Sequence, residues 1–444
     1  MTRMATALKW TAKAGNARSA WLAGALFLAA CTPTVTATPP VEQPPLAAPR
    51  PRVEAATTMA TAIRPNIPND GKIRVALLVP LSGNAAATGA AMLEAAQLAL
   101  FDVADERFVL IPRDTRGSVP GATEAARRAV ADGARLILGP LFSADVAAVR
   151  NVAQSAGISV LAFTNDASQG GNGVYVLGFG PGEQINRVVA YARGRGLTRF
   201  GLLAPRSPYG EIVANALTQT LKQLGGQLTR EERYDPNIVD LTPSLRRLIE
   251  SSPVGSSRSP GSPMPFGNAP IPVTPSAGGG DTGFDALVIA ESGGKLSTIV
   301  RMLPGTPADP TRVKLIGAGI WDDPAVWRES ALAGGWYAAP APDARADFEA
   351  RFESLYHRKP ARLATLAYDV TALAAVLAKT ADATAQTLFD PAALSNPNGF
   401  SGVDGIFRLR ADGQADRGLA VLEITPAGPR AIDPAPTSFQ PLTQ

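Results

Sequence analysis

From Lys72 onward the chain alternates short apolar runs with longer alanine-rich or amphipathic stretches. Ile73-Arg74-Val75-Ala76-Leu77-Leu78-Val79-Pro80 is mostly apolar and ends in a turn former, the pattern of a parallel strand buried on both faces. Ala85 to Val103 predicts a helix, Phe108 to Ile111 a strand, and Ala122 to Asp132 a second helix. Leu136–Leu138, a helix over Ala144–Ala156 and a strand over Ser159–Phe163 follow. A second series runs through a helix at Ile185–Arg195, a strand at Phe200–Ala204 and a helix at Glu211–Leu224. It continues with a helix at Thr242–Glu250 and a strand at Ala286–Ala290. Strands alternating with helices imply βαβ units on parallel sheets. Two such series predict an α/β protein of two doubly wound, Rossmann-like lobes. Ligands of such sheets sit outside the carboxyl ends of the strands.

Three segments break this rhythm. Residues 251–283 hold seven Pro, seven Gly and seven Ser among 33, and predict a disordered surface insertion between a helix and a strand. Residues 32–70 hold nine prolines and few large apolar side chains. That composition favours polyproline II at about 3.1 Å per residue and predicts a spacer rather than a core. Residues 1–30 carry Arg3, Lys9, Lys13 and Arg18, no acid, and a ten-residue apolar run from Trp21 to Ala30. The run is too short to span a bilayer, which takes roughly 20 residues, and predicts a secretory signal peptide. Its end, Leu28-Ala29-Ala30-Cys31, resembles the lipobox of bacterial lipoproteins, and Cys31 is the chain's one cysteine. That resemblance implies lipidation of Cys31 and a periplasmic protein anchored to a membrane. Thr32, not Asp, follows the cysteine, which by the same resemblance implies the outer membrane.

Composition narrows the function. Lys+Arg is 42 and Asp+Glu is 38; without residues 1–30 the count is 38 against 38. A chain without net charge and without a basic run offers nucleic acid no field. One cysteine and one histidine, His357, permit no disulfide and no metal cluster. No nucleophile elbow, phosphate loop or zinc-binding helix occurs, so neither catalysis nor a cofactor is expected. Asp322-Asp323 before Pro324 reads as a turn.

The motifs carry a family resemblance over about residues 71–430. Val79-Pro80-Leu81-Ser82-Gly83 after the first strand is similar to the opening of type I periplasmic binding proteins of the leucine/isoleucine/valine-binding group. Gly139-Pro140-Leu141-Phe142-Ser143 resembles the Gly-Pro-x-x-Ser turn of that family, and Tyr209-Gly210 its Tyr-Gly element. Phe400 to Leu409, followed by Asp412-Gly413, resembles its closing β-hairpin. The resemblance implies a type I periplasmic-binding-protein fold. Its lobes would take about 71–181 with 321–395, and 182–320 with 396–430, leaving 431–444 as a tail.

It also implies a ligand cleft lined by Ser82, Gly83, Ser143, Ala162, Thr164, Tyr209, Glu291 and Trp321. Ser82, Gly83 and Ser143 precede helices whose free N–H groups and dipole favour a carboxylate, although Ser143 also suits the N-cap of its own helix. One position departs from the family: with Gln184 on the family's Gln, the Asp that grips an α-ammonium group falls on Pro181. Glu183 lies two residues on. Lipobox, spacer and altered ammonium site together resemble penicillin-binding-protein activators, lipoproteins that touch a peptidoglycan synthase. The alternative is the solute-binding lipoprotein of a branched-chain-amino-acid-type ABC importer, with an ABC permease as partner and a small carboxylate-bearing ligand.

Overall fold

In the computed structural model the described residues are 70–250, 282–380 and 387–439. Cys31, the Pro-rich segment and residues 251–281 of the expected insertion lie outside the described residues. The first lobe opens with β1 (Ile73–Val79), α1 (Ala86–Val103), β2 (Phe108–Asp114), α2 (Val119–Ala131), β3 (Leu136–Leu138), α3 (Ser143–Ala156), β4 (Ser159–Ala162) and β5 (Val174–Val176). The five strands form a parallel sheet in the order β2-β1-β3-β4-β5. The period-two alternation of β1 explains why both faces are covered. Val75, Leu77 and Val79 join one core with Met92 of α1, while Ala76 and Leu78 face Ala126 of α2 and Val146 of α3.

The second lobe follows with α4 (Pro181–Gly194), β6 (Arg199–Pro205), α5 (Pro208–Leu224), β7 (Gln227–Tyr234), α6 (Thr242–Glu250), β8 (Ala286–Ile289), α7 (Gly293–Arg301), β9 (Lys314–Gly317), α8 (Pro324–Trp327) and β10 (Trp336–Ala339). Both α4 and α5 start several residues before the sequence pattern suggests, because Pro181 and Pro208 occupy first-turn positions where a missing N–H costs no hydrogen bond. The chain then returns to the first lobe with α9 (Ala346–Tyr356), α10 (Ala364–Thr380), α11 (Pro391–Leu394), β11 (Phe400–Gly402), β12 (Gly405–Leu409) and β13 (Ala415–Arg417). Helix α10 lies beside α1, and its Leu366, Val370 and Leu373 complete the first core. Finally β14 (Ala420–Thr425) and β15 (Gly428–Asp433) add an antiparallel pair to the edge of the second sheet, ordered β15-β14-β10-β9-β8-β6-β7.

Two lobe boundaries differ from expectation. The second crossing falls after Ala339 rather than at 321, because Trp336–Ala339 pairs in parallel with β9 and belongs to the second sheet. The third falls after Arg417 rather than at 396, because Phe407, Leu409 and Ala415 of the three-stranded β11-β12-β13 sheet sit in the first core. The first crossing runs through Gly178-Phe179-Gly180. A Cβ at Gly178 would lie 2.4 Å from the carbonyl oxygen of Thr164, so that close approach requires glycine. No helix among the described residues is long and apolar enough to cross a membrane.

Candidate functional site

At the carboxyl ends of the first sheet, the two lobes enclose a cleft of about 530 Å³. Lobe one supplies the turn after β3 (Leu141, Phe142, Ser143), the segment after β4 (Phe163, Thr164, Asn165) and Phe179 at the first crossing. Lobe two supplies Pro181 and Gln184 from α4, Tyr209 from α5, and Ile320 and Asp322 from the turn after β9. The wall is largely apolar and aromatic. Among the described residues that line it, Asp322 and Arg362 alone are charged. The first turns of α3, α4 and α5, and the segment leading into α10, all contribute to it. Converging helix N-termini present free N–H groups and positive dipole ends, which favour an anion.

Of the residues expected here, three reach the cleft. Ser143 does, but not as an N-cap: that position is Phe142, and no side chain caps α3. The Ser143 hydroxyl instead donates to the carboxylate of Asp166, which also accepts from Ser168 Oγ at 2.6 Å and Ser168 N at 3.1 Å. Burial works against ionisation of Asp166, yet these hydrogen bonds hold its carboxyl below the usual range. The Ser143 proton is thereby committed, and the donors this turn leaves for an anion are its backbone N–H groups. Thr164, 5% exposed, lines the cleft, and its hydroxyl oxygen accepts from Asp166 N at 3.1 Å. Tyr209 brings a buried hydroxyl with no protein partner. Burial, with the Glu291 charge beside it, pushes that hydroxyl up and keeps it a neutral donor.

The other expected residues lie elsewhere. Ser82 and Gly83 are exposed, and Ala85 and Thr88 take their place on the wall. The Ser82 hydroxyl donates to Asp114 at 2.6 Å, a carboxylate that also takes the N–H groups of Leu81 and Arg116. Ala162 is fully buried within β4, and the cleft begins at the next residue. Glu291 lines a separate pocket of about 300 Å³, with Tyr209 and Ile320 shared between the two. There its carboxylate accepts from the Tyr234 hydroxyl. Trp321 is fully buried in the core of lobe two, its indole N–H donating to the Glu291 carbonyl at 3.0 Å.

Pro181 does line the cleft, as the first residue of α4, and supplies no charge. Glu183 does not take over that role. It stays out of the cleft lining, and burial pushes its carboxyl up to about 7, with Arg417 opposing the shift. The sequence reading missed Phe142, Phe163, Phe179, Gln184 and Arg362 as wall residues. It also took Asp322 for a turn acid, although the structure aims it inward. The signal available for Asp322 was its place directly after a strand, at the carboxyl edge where ligands of such sheets bind.

Two α/β lobes joined by three chain crossings, with a cleft at the strand ends, define the class of the fold. The profile of the periplasmic binding protein family matches residues 72–429, and the chain belongs to that family. Membership implies a periplasmic location. The fold is shared with a putative branched-chain amino acid ABC transporter protein of Rhodospirillum rubrum, at 18% identity and a TM-score of 0.67, covering 81% of this chain and 100% of that one. It is shared with the leucine-binding protein LivK of Thermotoga maritima, at 18% identity and a TM-score of 0.55 over 82% of this chain and 98% of that one. A solute-binding protein of R. palustris in complex with benzoate matches at 16% identity and a TM-score of 0.55, over 83% of this chain and 97% of that one. Among curated proteins, an uncharacterized protein of Rickettsia prowazekii is 22% identical over 188 residues, 42% of this chain. The chain spans about half the length of that curated relative.

Proposed function

We propose that the chain is a non-catalytic solute receptor for an ABC importer, and that its cleft takes a small apolar carboxylate lacking an α-ammonium group. The observation that carries this reading is Pro181 on the cleft wall, where a charged partner for an ammonium group would stand. The converging helix N-termini favour the carboxylate end, and Phe142, Phe163, Phe179 and Ile320 suit an apolar body. The two charged wall residues are ion-paired with protein partners, which leaves neither free for an ammonium group. The benzoate-bound solute-binding protein supports an aromatic acid as one member of the ligand class.

The test compares leucine with its 2-oxo analogue, 4-methyl-2-oxopentanoate, and with benzoate, by titration calorimetry and thermal shift. The expected result is saturable binding of at least one of the two ammonium-free acids, tighter than leucine by tenfold or more, about 1.4 kcal/mol. Leucine binding more tightly than both acids would reverse the assignment.

A second reading rests on Cys31-Thr32 and the Pro-rich segment: a lipoprotein held at the outer membrane by Cys31 and acting on a peptidoglycan synthase. A long tether raises the effective concentration of such a domain near a membrane-bound enzyme. Cross-linking of the acylated protein in cells distinguishes the two readings. A permease in the captured set supports import, and a synthase supports regulation.

A further inference from the structure

Asp322 belongs to lobe two: it follows Trp321 of that core, and its Oδ1 accepts from the hydroxyl of Tyr337 in β10 at 3.1 Å. Its side chain is 5% exposed. Its other oxygen faces two arginines of lobe one. Arg345 donates from Nη1 at 3.3 Å and is itself fixed by Glu349 of α9 at 2.8 Å. Arg362 places Nε 3.9 Å away, beyond hydrogen-bond reach. The Arg362 guanidinium is held in place by three contacts: Asp404 at 3.1 Å, Thr365 Oγ1 at 3.1 Å, and the ring of Phe179 with its centroid 4.4 Å away. Phe179 sits on the first crossing between the lobes, and the face of Arg417 from β13 lies 4.7 Å from the same ring.

We infer that Asp322, Arg345 and Arg362 form a latch between the lobes, and that Asp322 is the positioning residue that sets how far the cleft closes. A carboxylate from one lobe gripped by Arg345 of the other, with the charge of Arg362 close by, favours approach of the two and opposes separation. Screening by salt is weak for a side chain so little exposed. The 3.9 Å gap leaves slack on one side: slight further closure brings Arg362 Nε within reach of Asp322, so the contact tightens as the cleft narrows. Arg362 and Asp322 both line the cleft, so a bound solute lies beside the pair that controls closure. The latch itself does not depend on the identity of the ligand. Its coupling to affinity rests on the reading of the cleft given above.

The test uses the full-length chain carrying C31S with spin labels at R127C and K222C, exposed positions on α2 of lobe one and α5 of lobe two. Dipolar spectroscopy without ligand is expected to show a longer and broader distance distribution in Asp322→Asn than in its absence. Arg345→Gln, which removes the grip from the opposite lobe, is expected to give the same displacement. The double variant is expected to add nothing further, because both changes break one contact. Asp322→Glu, which keeps the charge, is expected to restore the original distribution. With benzoate as the probe, Asp322→Asn is expected to bind about tenfold more weakly through a lower closed population. Unchanged distances in both single variants, or fully additive effects in the double, overturn the latch. Changed distances with no benzoate binding by any form uphold the latch and remove benzoate from the ligand class.

Discussion

Trp321→Ala is expected to lower the unfolding free energy by about 3–5 kcal/mol, the range for truncating a fully buried aromatic side chain. The indole is 0% exposed and sits in the core of lobe two with Leu287, Leu315, Leu332 and Tyr337. Its position is tightly specified: a Cβ at Gly317 would stand 2.1 Å from the ring, and one at Gly335 3.2 Å from it. Trp321→Phe is expected to cost less in volume but to leave the Glu291 carbonyl without its donor, a penalty of about 1–3 kcal/mol. Urea unfolding checks both values. Because Trp321 is not on the cleft wall, any folded variant is expected to keep its affinity for ammonium-free acids. Wild-type stability combined with lost binding would return Trp321 to the ligand site, where its family position places it.

Trp321 also shows where sequence reading stops. The alternation of buried strands and helices was legible from β1 through β4 and again from α4 through α5, since each of these strands is a short apolar run between turn formers and each helix covers one sheet face; β5, three residues long, was not read. The family motifs located the turn after β3 and the start of α5, and these do meet in the cleft. What could not be read was side-chain direction after a strand. Trp321 and Asp322 are neighbours at the same sheet edge, yet one turns into the core and the other into the cleft. Glu291 follows its strand as expected but is drawn aside by the Tyr234 hydroxyl. The crossing after β10 was missed because Trp336–Ala339 is four residues long and becomes a strand through pairing with β9 and β14. Arg362 carries no local signal at all: Asp404, 42 residues away in sequence, and Phe179 hold it at the cleft.

The charges behind that cleft give the second large effect. Asp369 of α10 is 3% exposed; its Oδ1 accepts from Val403 N at 2.7 Å while its Oδ2 has no partner. Burial, reinforced by the neighbouring Asp404 carboxylate, pushes its carboxyl up to about 7, against the pull of the Val403 N–H and Arg417. Burial likewise raises Glu183 to about 7. A carboxyl raised in the folded state holds its proton where the unfolded chain has already released it. Its contribution to stability is therefore complete below about pH 4 and is lost as pH rises to about 7. For Asp369 alone the loss between pH 5 and pH 8 is about 3 kcal/mol. Carboxyls held below their usual range, such as Asp102 and Asp166, act in the opposite sense, in a lower window below about pH 4. Unfolding free energies measured in urea are thus expected to fall from pH 5 to about pH 7 and to level off by pH 8. Asp369→Asn keeps the Val403 hydrogen bond through its remaining carbonyl oxygen and removes the titrating proton, so the slope is expected to drop by about half. Glu183→Gln should remove most of the remainder. A flat or rising wild-type profile over this range would mean that both carboxylates are ionised in the folded protein at pH 5. In that case Arg417, whose Nε and Nη1 find no acceptor in this arrangement, must swing to meet them.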